Sequence, residues 1–140
     1  MSFPSQLSLS ASRIALLAPR LRPLAWALLG ACRYRLGLYL TITQGWRSAA
    51  DQAALWAQGR TTPGPVVTWA EPGQSLHERG LAFDVAKLHA DGQVTWDDVP
   101  WEAVGSIGEE LGLVWGGRWK EHPDRPHFEL PPATGRIETT

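Results

Sequence analysis

The chain has 140 residues, a formal net charge of -1 and a hydrophobic content of 44%, enough for one domain with a core of its own. The near-neutral charge argues against a nucleic-acid-binding protein, because neutralising phosphates requires a clustered basic surface. The single cysteine, Cys32, excludes an internal disulfide and a cysteine zinc cage, so any zinc site must use His, Asp or Glu. The eight tryptophans are a mild indication of a polymeric substrate.

An apolar run covers residues 24–32 near the N-terminus. It is too short to span a bilayer, and its apolar positions follow the three-four spacing of an amphipathic helix. Arginines lie on both sides of the run, which is unlike a signal peptide. We therefore expect no membrane span and no signal peptide, so the protein should be cytoplasmic as made. We also expect it to be a monomer.

The first half of the chain is predicted from its apolar spacing and from its prolines and glycines. Gly37 suits a left-handed stop at the end of a helix. In chain order, the predicted elements are a flexible N-terminal lead (1–11), a helix interrupted around Pro19 and Pro23 (12–35), a strand (38–43) and a helix capped by Ser48 (49–58).

The second half reads as a loop followed by short strands and one helix. Its predicted elements are a loop (60–73), a strand (81–87), a short strand (94–96), a helix capped by Asp97 or Asp98 with Pro100 in its first turn, a last strand (126–130) and a loose tail (131–140). Together these elements predict one α+β domain over residues 12–130, with a small antiparallel sheet and flanking helices.

Two short segments about forty residues apart carry the residue types of a catalytic metal site. Residues 75–84 read SLHERGLAFD, and residues 124–129 read DRPHFE. They offer two imidazoles and a carboxylate, the ligand set of a catalytic zinc that keeps one coordination position open for water. Asp124, three residues before the last histidine, could handle the protons of that water. If the segments meet in space, the protein is expected to be a hydrolase.

The spacing of His77 and Asp84 restricts how they can share a metal. Zinc–ligand bonds of about 2.0–2.2 Å require the side chains to converge on one point. A straight strand would separate the two residues by about 23 Å, and a helix by about 10 Å along its axis. We therefore predict that the chain turns back at Gly80, that Asp84 points inward from a strand, and that His127 projects from a neighbouring strand.

The two segments belong to a longer series of motifs along the chain. The motifs are TQGWRS (43–48), DQAALWAQGRT (51–61), the SLH…D segment (75–84), GLVWGG (112–117) and DRPHFE (124–129). With these motifs, residues 16–130 resemble the zinc peptidases of the D-Ala-D-Ala carboxypeptidase group, which is related to hedgehog domains. The branch that the chain resembles most contains the L-alanyl-D-glutamate peptidases of phage endolysins and bacteria.

The resemblance implies a hedgehog/D-Ala-D-Ala peptidase-like fold and a Zn²⁺ ion bound by His77, Asp84 and His127. It implies that Asp124 acts as general acid and base, and that Arg47 contacts the substrate carbonyl or a substrate carboxylate. The chemistry is consistent with these roles, since a carboxylate near zinc can accept the proton of the attacking water. An alternative for Arg47 is that it braces the start of the following helix.

Four more residues are candidates for supporting the metal ligands or for binding substrate. Ser75 could hydrogen-bond near the metal or shape its loop, and Gln52 could reach the site or be structural. Glu129 lies on the same strand face as His127 and could orient it or form an ordinary ion pair. Trp115 could line the cleft or pack in the core.

The leading functional hypothesis is a zinc-dependent peptidoglycan peptidase that hydrolyses a stem-peptide amide bond, with L-Ala–D-Glu favoured. The resemblance implies that the stem peptide is the substrate and that the enzyme acts on the cell wall after release. One alternative is a D-Ala-D-Ala carboxypeptidase or dipeptidase. Another is a non-catalytic zinc-bearing module that binds the cell wall, which the proton acceptor Asp124 argues against.

Overall fold

The computed structural model describes residues 1–132, where helices and strands follow each other largely in the predicted order. The helices are α1 (Phe3–Ala15), α2 (Arg22–Leu36), α3 (Ala49–Ala57) and α4 (Trp101–Glu110). The strands are β1 (Leu40–Gln44), β2 (Ala82–Leu88), β3 (Val94–Thr95), β4 (Val114–Trp115) and β5 (His127–Glu129). Short 3-10 helices cover Leu76–Arg79 and Gly116–Arg118. The predicted loose tail lies outside the described residues from position 133 onward.

The prediction of a flexible lead over residues 1–11 is wrong, because α1 occupies most of that segment. The side chain of Ser2 caps the helix, and a proline lies in its first turn. On the inner side, the Ser10 hydroxyl lies 2.6 Å from that of Thr41 and accepts a hydrogen bond of 2.9 Å from the Ile42 N–H. Contacts with the edge of β1 therefore stabilise this serine-rich segment as a helix. Its own sequence does not predict a helix.

The helix α2 contains the apolar run that the sequence singles out. Its residues Ala25, Leu28 and Cys32 are fully buried, which confirms the prediction of an amphipathic core helix. Gly37 ends the helix with a φ of 64°, as predicted. Among residues 1–132, no helix is both long enough and apolar enough to cross a membrane.

The sheet is antiparallel throughout and places the two motif segments side by side. Its strand order is β1-β2-β5-β4, and β3 pairs with the far end of β2. The register sets Asp84 opposite His127 and Phe83 opposite Phe128. Because side chains alternate along a strand, Asp84 and His127 share one face of the sheet, and the two phenylalanines share the other.

The face that carries the phenylalanines forms the hydrophobic core, together with α2 and α4. Two glycines of α4 allow the helix to lie close to the sheet. A Cβ atom at Gly105 would overlap the ring of Trp115, and one at Gly108 would lie 2.5 Å from the ring of Phe128. The opposite face, with Asp84 and His127, is therefore the one available for a site.

The start of α4 differs from the prediction. Pro100 occupies the cap position, and no side chain caps the helix. Asp98 instead accepts hydrogen bonds from the Thr95 hydroxyl and the Lys87 ammonium group. These contacts tie Asp98 to β2 and β3, so neither Asp97 nor Asp98 is the cap that the sequence predicts.

Candidate metal centre

The structure brings His77, Asp84 and His127 together, as the sequence predicts. One potential ligand atom from each side chain lies within 4.8 Å of the other two. Oδ1 of Asp84 lies 3.4 Å from Nε2 of His77 and 3.2 Å from Nδ1 of His127. Both imidazoles are buried, and Asp84 is half-buried. The three side chains thus surround one point at the floor of a cleft.

His77 reaches this point because the chain turns back at Gly80. The 3-10 helix that carries His77 ends at Gly80, whose φ is 69°. A Cβ atom there would lie 2.9 Å from the backbone nitrogen of Ala18, which donates a hydrogen bond to the Gly80 carbonyl. The predicted turn is confirmed, and both the backbone conformation and the close approach require glycine.

Hydrogen bonds fix the orientation of both imidazole rings. Nδ1 of His77 lies 2.8 Å from the carbonyl oxygen of Gly45, so this nitrogen carries the proton and Nε2 presents its lone pair to Asp84. Nε2 of His127 lies 2.8 Å from Oε1 of Glu129, which leaves the lone pair of Nδ1 facing Asp84. Two directed lone pairs and a carboxylate form a donor set that fits a divalent metal ion.

The ionisation of these groups also favours a positive charge at their meeting point. Burial alone would raise the pKa of Asp84, but when the facing nitrogens of His127 and His77 carry a proton, their hydrogen bonds and charge outweigh burial and hold that pKa well below its usual range. Burial would lower the pKa of His127, but the carboxylates of Asp84 and Glu129 raise it to about 9. The cluster therefore favours a positive charge at its centre, which either a proton or a metal ion can supply.

Asp124 lies beside the three potential ligands, in the loop before β5. Its Oδ2 is 4.0 Å from Nδ1 of His127, and its backbone carbonyl accepts a hydrogen bond from the His127 N–H. Its own N–H donates to the carbonyl of Gly116. Burial, and then the negative charge of Asp84, raise the pKa of Asp124. A carboxylate with a raised pKa in this position is suited to accepting a proton.

Arg47 borders the same cleft and is held by several hydrogen bonds. Its N–H donates to the His77 carbonyl at 3.0 Å, Nη1 donates to Oε1 of Gln52 at 2.7 Å, and Nη2 donates to Oε1 of Gln44 at 3.1 Å. Burial lowers the pKa of Arg47, against the effect of Asp84. Its Nε is buried and has no hydrogen-bond partner among the described residues. The guanidinium is thus oriented, and Nη1 and Nη2 each keep a second N–H that these bonds do not use.

Gln52 lies behind Arg47 and does not line the cleft itself. Its side chain is fully buried, and its Nε2 donates to the carbonyl of Ala70 at 2.7 Å and to the hydroxyl of Thr68 at 3.3 Å. Since its Oε1 accepts from Arg47, Gln52 connects the guanidinium to the loop segment 68–70. Ser75 caps the turn of His77 by accepting a hydrogen bond of 3.2 Å from the His77 N–H.

The cleft above these residues is a cavity of about 770 Å³. Across its opening, the ring of Trp69 stacks on that of His122, with centroids 3.7 Å apart and planes inclined by 12°. His122 has a positive φ of 52°, which is uncommon for a residue other than glycine. Sequence reasoning did not select either residue, because no spacing pattern connects two loop residues so far apart in the chain.

Trp115 lies in the core and not in the cleft, although the sequence left both positions open. It is 2% exposed, and its Nε1 donates a hydrogen bond of 2.8 Å to the Arg125 carbonyl. The register pairs it with Phe128, on the core face of the sheet. Trp69 and Trp119 line the cleft instead, and the ring of Trp119 lies 5.0 Å from that of His127.

Residues 69–130 match a protein family described as D-alanyl-D-alanine carboxypeptidase. The matched range contains both motif segments, and thus His77, Asp84, Asp124 and His127.

Among characterised proteins, the chain is similar to the peptidoglycan L-alanyl-D-glutamate endopeptidase CwlK of Bacillus subtilis. The two sequences are 41% identical over an alignment of 105 residues, and the match covers 69% of this chain and 63% of CwlK. The chain therefore spans less than two thirds of the length of this relative.

Solved structures show the same fold at lower sequence identity. The L-Ala D-Glu endopeptidase ChiX of Serratia marcescens superposes with a TM-score of 0.66 and 23% identity, over 94% of this chain and 90% of ChiX. The vancomycin resistance D,D-pentapeptidase VanY, solved in complex with Zn(II), gives a TM-score of 0.63 and 20% identity, over 81% of this chain and 72% of VanY. These similarities confirm the predicted α+β fold.

Proposed function

We propose that this chain, whose residues 69–130 match the D-alanyl-D-alanine carboxypeptidase family, is a zinc-dependent peptidoglycan peptidase. Its proposed reaction is hydrolysis of a stem-peptide amide bond, with the L-Ala–D-Glu bond as the target. The observation that carries the proposal is the convergence of His77, Asp84 and His127 on one point, beside Asp124 and Arg47. The identity with CwlK supports the choice of bond.

Zinc is the metal that fits this donor set. Two neutral imidazoles and one carboxylate are typical of catalytic zinc sites, which keep a further position open. VanY, which has the same fold, was solved with Zn(II). When bound, zinc lowers the pKa of a water molecule towards neutrality and polarises the carbonyl of the scissile bond. The ligands are His77 through Nε2, Asp84 through its carboxylate and His127 through Nδ1.

Asp124 is proposed to move the protons of the reaction. Its carboxylate lies at the edge of the metal cluster, and burial raises its pKa towards the range in which it can both accept and return a proton. It accepts a proton as the nucleophile forms, and then donates it to the amine of the departing peptide.

Arg47 is proposed to bind the oxygen on which negative charge develops. The hydrogen bonds to Gln52 and Gln44 fix the plane of its guanidinium, so little reorientation is needed during the reaction. Nη1 and Nη2 each keep a second N–H that the bonds to Gln52 and Gln44 do not use. A substrate carboxylate would be bound by the same fork of donors.

A D-Ala-D-Ala carboxypeptidase or dipeptidase is the second candidate. The description of the matching family and the shared fold with VanY favour it. Such an enzyme must recognise a C-terminal carboxylate, and Arg47 is a suitable group for that purpose. The two candidates differ in the bond that is cut and not in the metal site.

Digestion of purified muropeptides by the zinc-loaded protein, followed by mass spectrometry, tests the proposal. Cleavage at L-Ala–D-Glu would release a peptide that begins with D-glutamate and leave L-alanine on the muramyl sugar. Loss of the terminal D-alanine would instead support the second candidate. If no amide bond is cut with zinc bound, both candidates fail and a binding module remains.

The proposed substrate places the action of the protein at the cell wall, as in the endolysin and bacterial branches that its sequence resembles. We propose that it acts as a monomer, since one chain supplies all the site residues described above.

A further inference from the structure

A second cavity, of about 480 Å³, lies beside the cleft. Gln44 and Asp84 line both cavities, so the two spaces adjoin at the metal centre. The second cavity is bordered by α1 on one side, and by Val94, Trp96 and Pro126 on the other. The second cavity is therefore close enough to the metal centre to receive a residue next to the bond that is cut.

Arg13, on α1, is the one arginine or lysine among the described residues that line this second cavity. Its Nη1 donates a hydrogen bond of 2.7 Å to the Ile42 carbonyl. Within residues 1–132, no carboxylate forms an ion pair with Arg13, whereas the Arg35 and Arg118 guanidiniums each pair with a glutamate. Nε and Nη2 of Arg13 are thus left for another partner.

The position of Arg13 is tied to that of the metal ligands. Its helix packs directly on Gly45, where a Cβ atom would lie 3.2 Å from the Arg13 carbonyl oxygen. The carbonyl of Gly45 is the group that orients the His77 ring. Since Arg13 also bonds to the carbonyl of Ile42 in β1, its guanidinium is fixed relative to the strand that leads into the site.

The chemistry of the proposed substrate supplies a matching group. Glutamate has two carboxyl groups, and an amide linkage to the next residue uses one of them, so the other stays free unless it is amidated. A guanidinium with two free donors binds a carboxylate through paired, charge-assisted hydrogen bonds. A neutral amide in the same place would lose the charge and one acceptor.

We propose that the cavity between α1 and β3 is the subsite for the glutamyl residue of the stem peptide, and that Arg13 binds its free carboxylate. This inference rests on the proposed function and adds a determinant of specificity to it. Arg13 lies outside the segment that matches the family, so this specificity belongs to the N-terminal helix.

Kinetics with two synthetic stem peptides test the inference. The peptides are identical except that the free glutamyl carboxylate of one is amidated in the other. Zinc-loaded wild-type protein should cut the acid peptide with a KM about tenfold or more below that of the amide peptide. Arg13→Gln should remove this preference by raising the KM for the acid peptide, and Arg13→Lys should restore part of it. The exposed Arg20 provides the matched control, because Arg20→Gln should keep the full preference.

Equal KM values for the two peptides with wild-type protein would overturn the inference, whether or not the variants fold. A preference that survives in folded Arg13→Gln would overturn it as well. If wild-type protein cuts neither peptide, the proposed function fails. Binding of the same two peptides, measured by calorimetry, then tests the role of Arg13 separately. Tighter binding of the acid peptide, lost in Arg13→Gln, would support the subsite, and equal binding would exclude it.

Discussion

Oε1 of Glu129 lies 2.8 Å from Nε2 of His127, two residues earlier on the same face of β5. This contact leaves Nδ1 of His127 as the nitrogen that faces Asp84. A carboxylate that accepts the distant N–H of a metal-binding imidazole fixes the ring and increases its basicity. Glu129 would therefore support the proposed metal centre without touching the metal itself.

Replacing Glu129 should weaken metal binding. We expect Glu129→Ala to lower zinc affinity about 10- to 100-fold, because the His127 ring loses the acceptor that orients it. Competition with a chromophoric chelator measures the change. The exposed Glu121, which lines the outer part of the cleft, serves as control, and Glu121→Ala should bind zinc like the wild type. Equal affinities for the two variants would contradict the role given to Glu129.

Replacing Asp124 should separate metal binding from catalysis. Asp124→Ala should retain one zinc ion per chain by elemental analysis, and its turnover should fall by about 10²- to 10⁴-fold because the proton acceptor is lost. Loss of zinc from this variant would show that Asp124 is a ligand. Unchanged turnover would show that another group moves the proton.

Replacing Gln52 should affect both stability and activity. Gln52→Ala removes the acceptor of Arg47 and the donor to the Ala70 carbonyl inside the protein. We expect a loss of about 1–3 kcal/mol in the free energy of unfolding, together with a lower kcat. Urea unfolding and initial rates measure the two effects. Gln93→Ala, at an exposed position, should change neither, and a Gln52→Ala variant equal to it would refute the connection to Arg47.

Two helical glycines should respond in opposite directions to alanine. Gly105→Ala places a methyl group in the ring of Trp115 and should destabilise the protein by about 1–3 kcal/mol or more. Gly30, in the middle of α2, has open space where a Cβ would lie, with no atom within 4 Å, so Gly30→Ala should stabilise the protein by about 0.5–1 kcal/mol. Urea unfolding measures the change in the free energy of unfolding for each variant. Destabilisation by Gly30→Ala would contradict the packing described for α2.

The sequence predicted the geometry of the candidate metal centre because that geometry depends on local rules. The distance between His77 and Asp84 along an extended chain excluded a shared metal unless the chain reversed, and Gly80 was the residue that permits reversal. Strand alternation likewise placed Glu129 on the face of His127. The predictions for Gly80 and Glu129 both depended only on residues that are close together in the chain, and not on the tertiary fold.

Other features depended on contacts between distant segments. The helix α1 was missed because its serines give no strong helical pattern, and the edge of β1 supplies the partners of Ser10. The sequence could not show whether Trp115 lines the cleft or packs in the core for a similar reason. Only the pairing of β4 with β5 places its side chain on the core face. The stack of Trp69 on His122 joins two loops that no periodicity relates.

Titration of zinc into chelator-treated protein, with cleavage of the L-Ala–D-Glu bond as the readout, tests the central claim most directly. The account predicts that activity rises in proportion to added zinc, reaches its maximum at about one equivalent per chain, and is absent at every zinc concentration in Asp84→Ala. Full cleavage without zinc, or zinc-dependent cleavage by Asp84→Ala equal to that of the wild type, would contradict it.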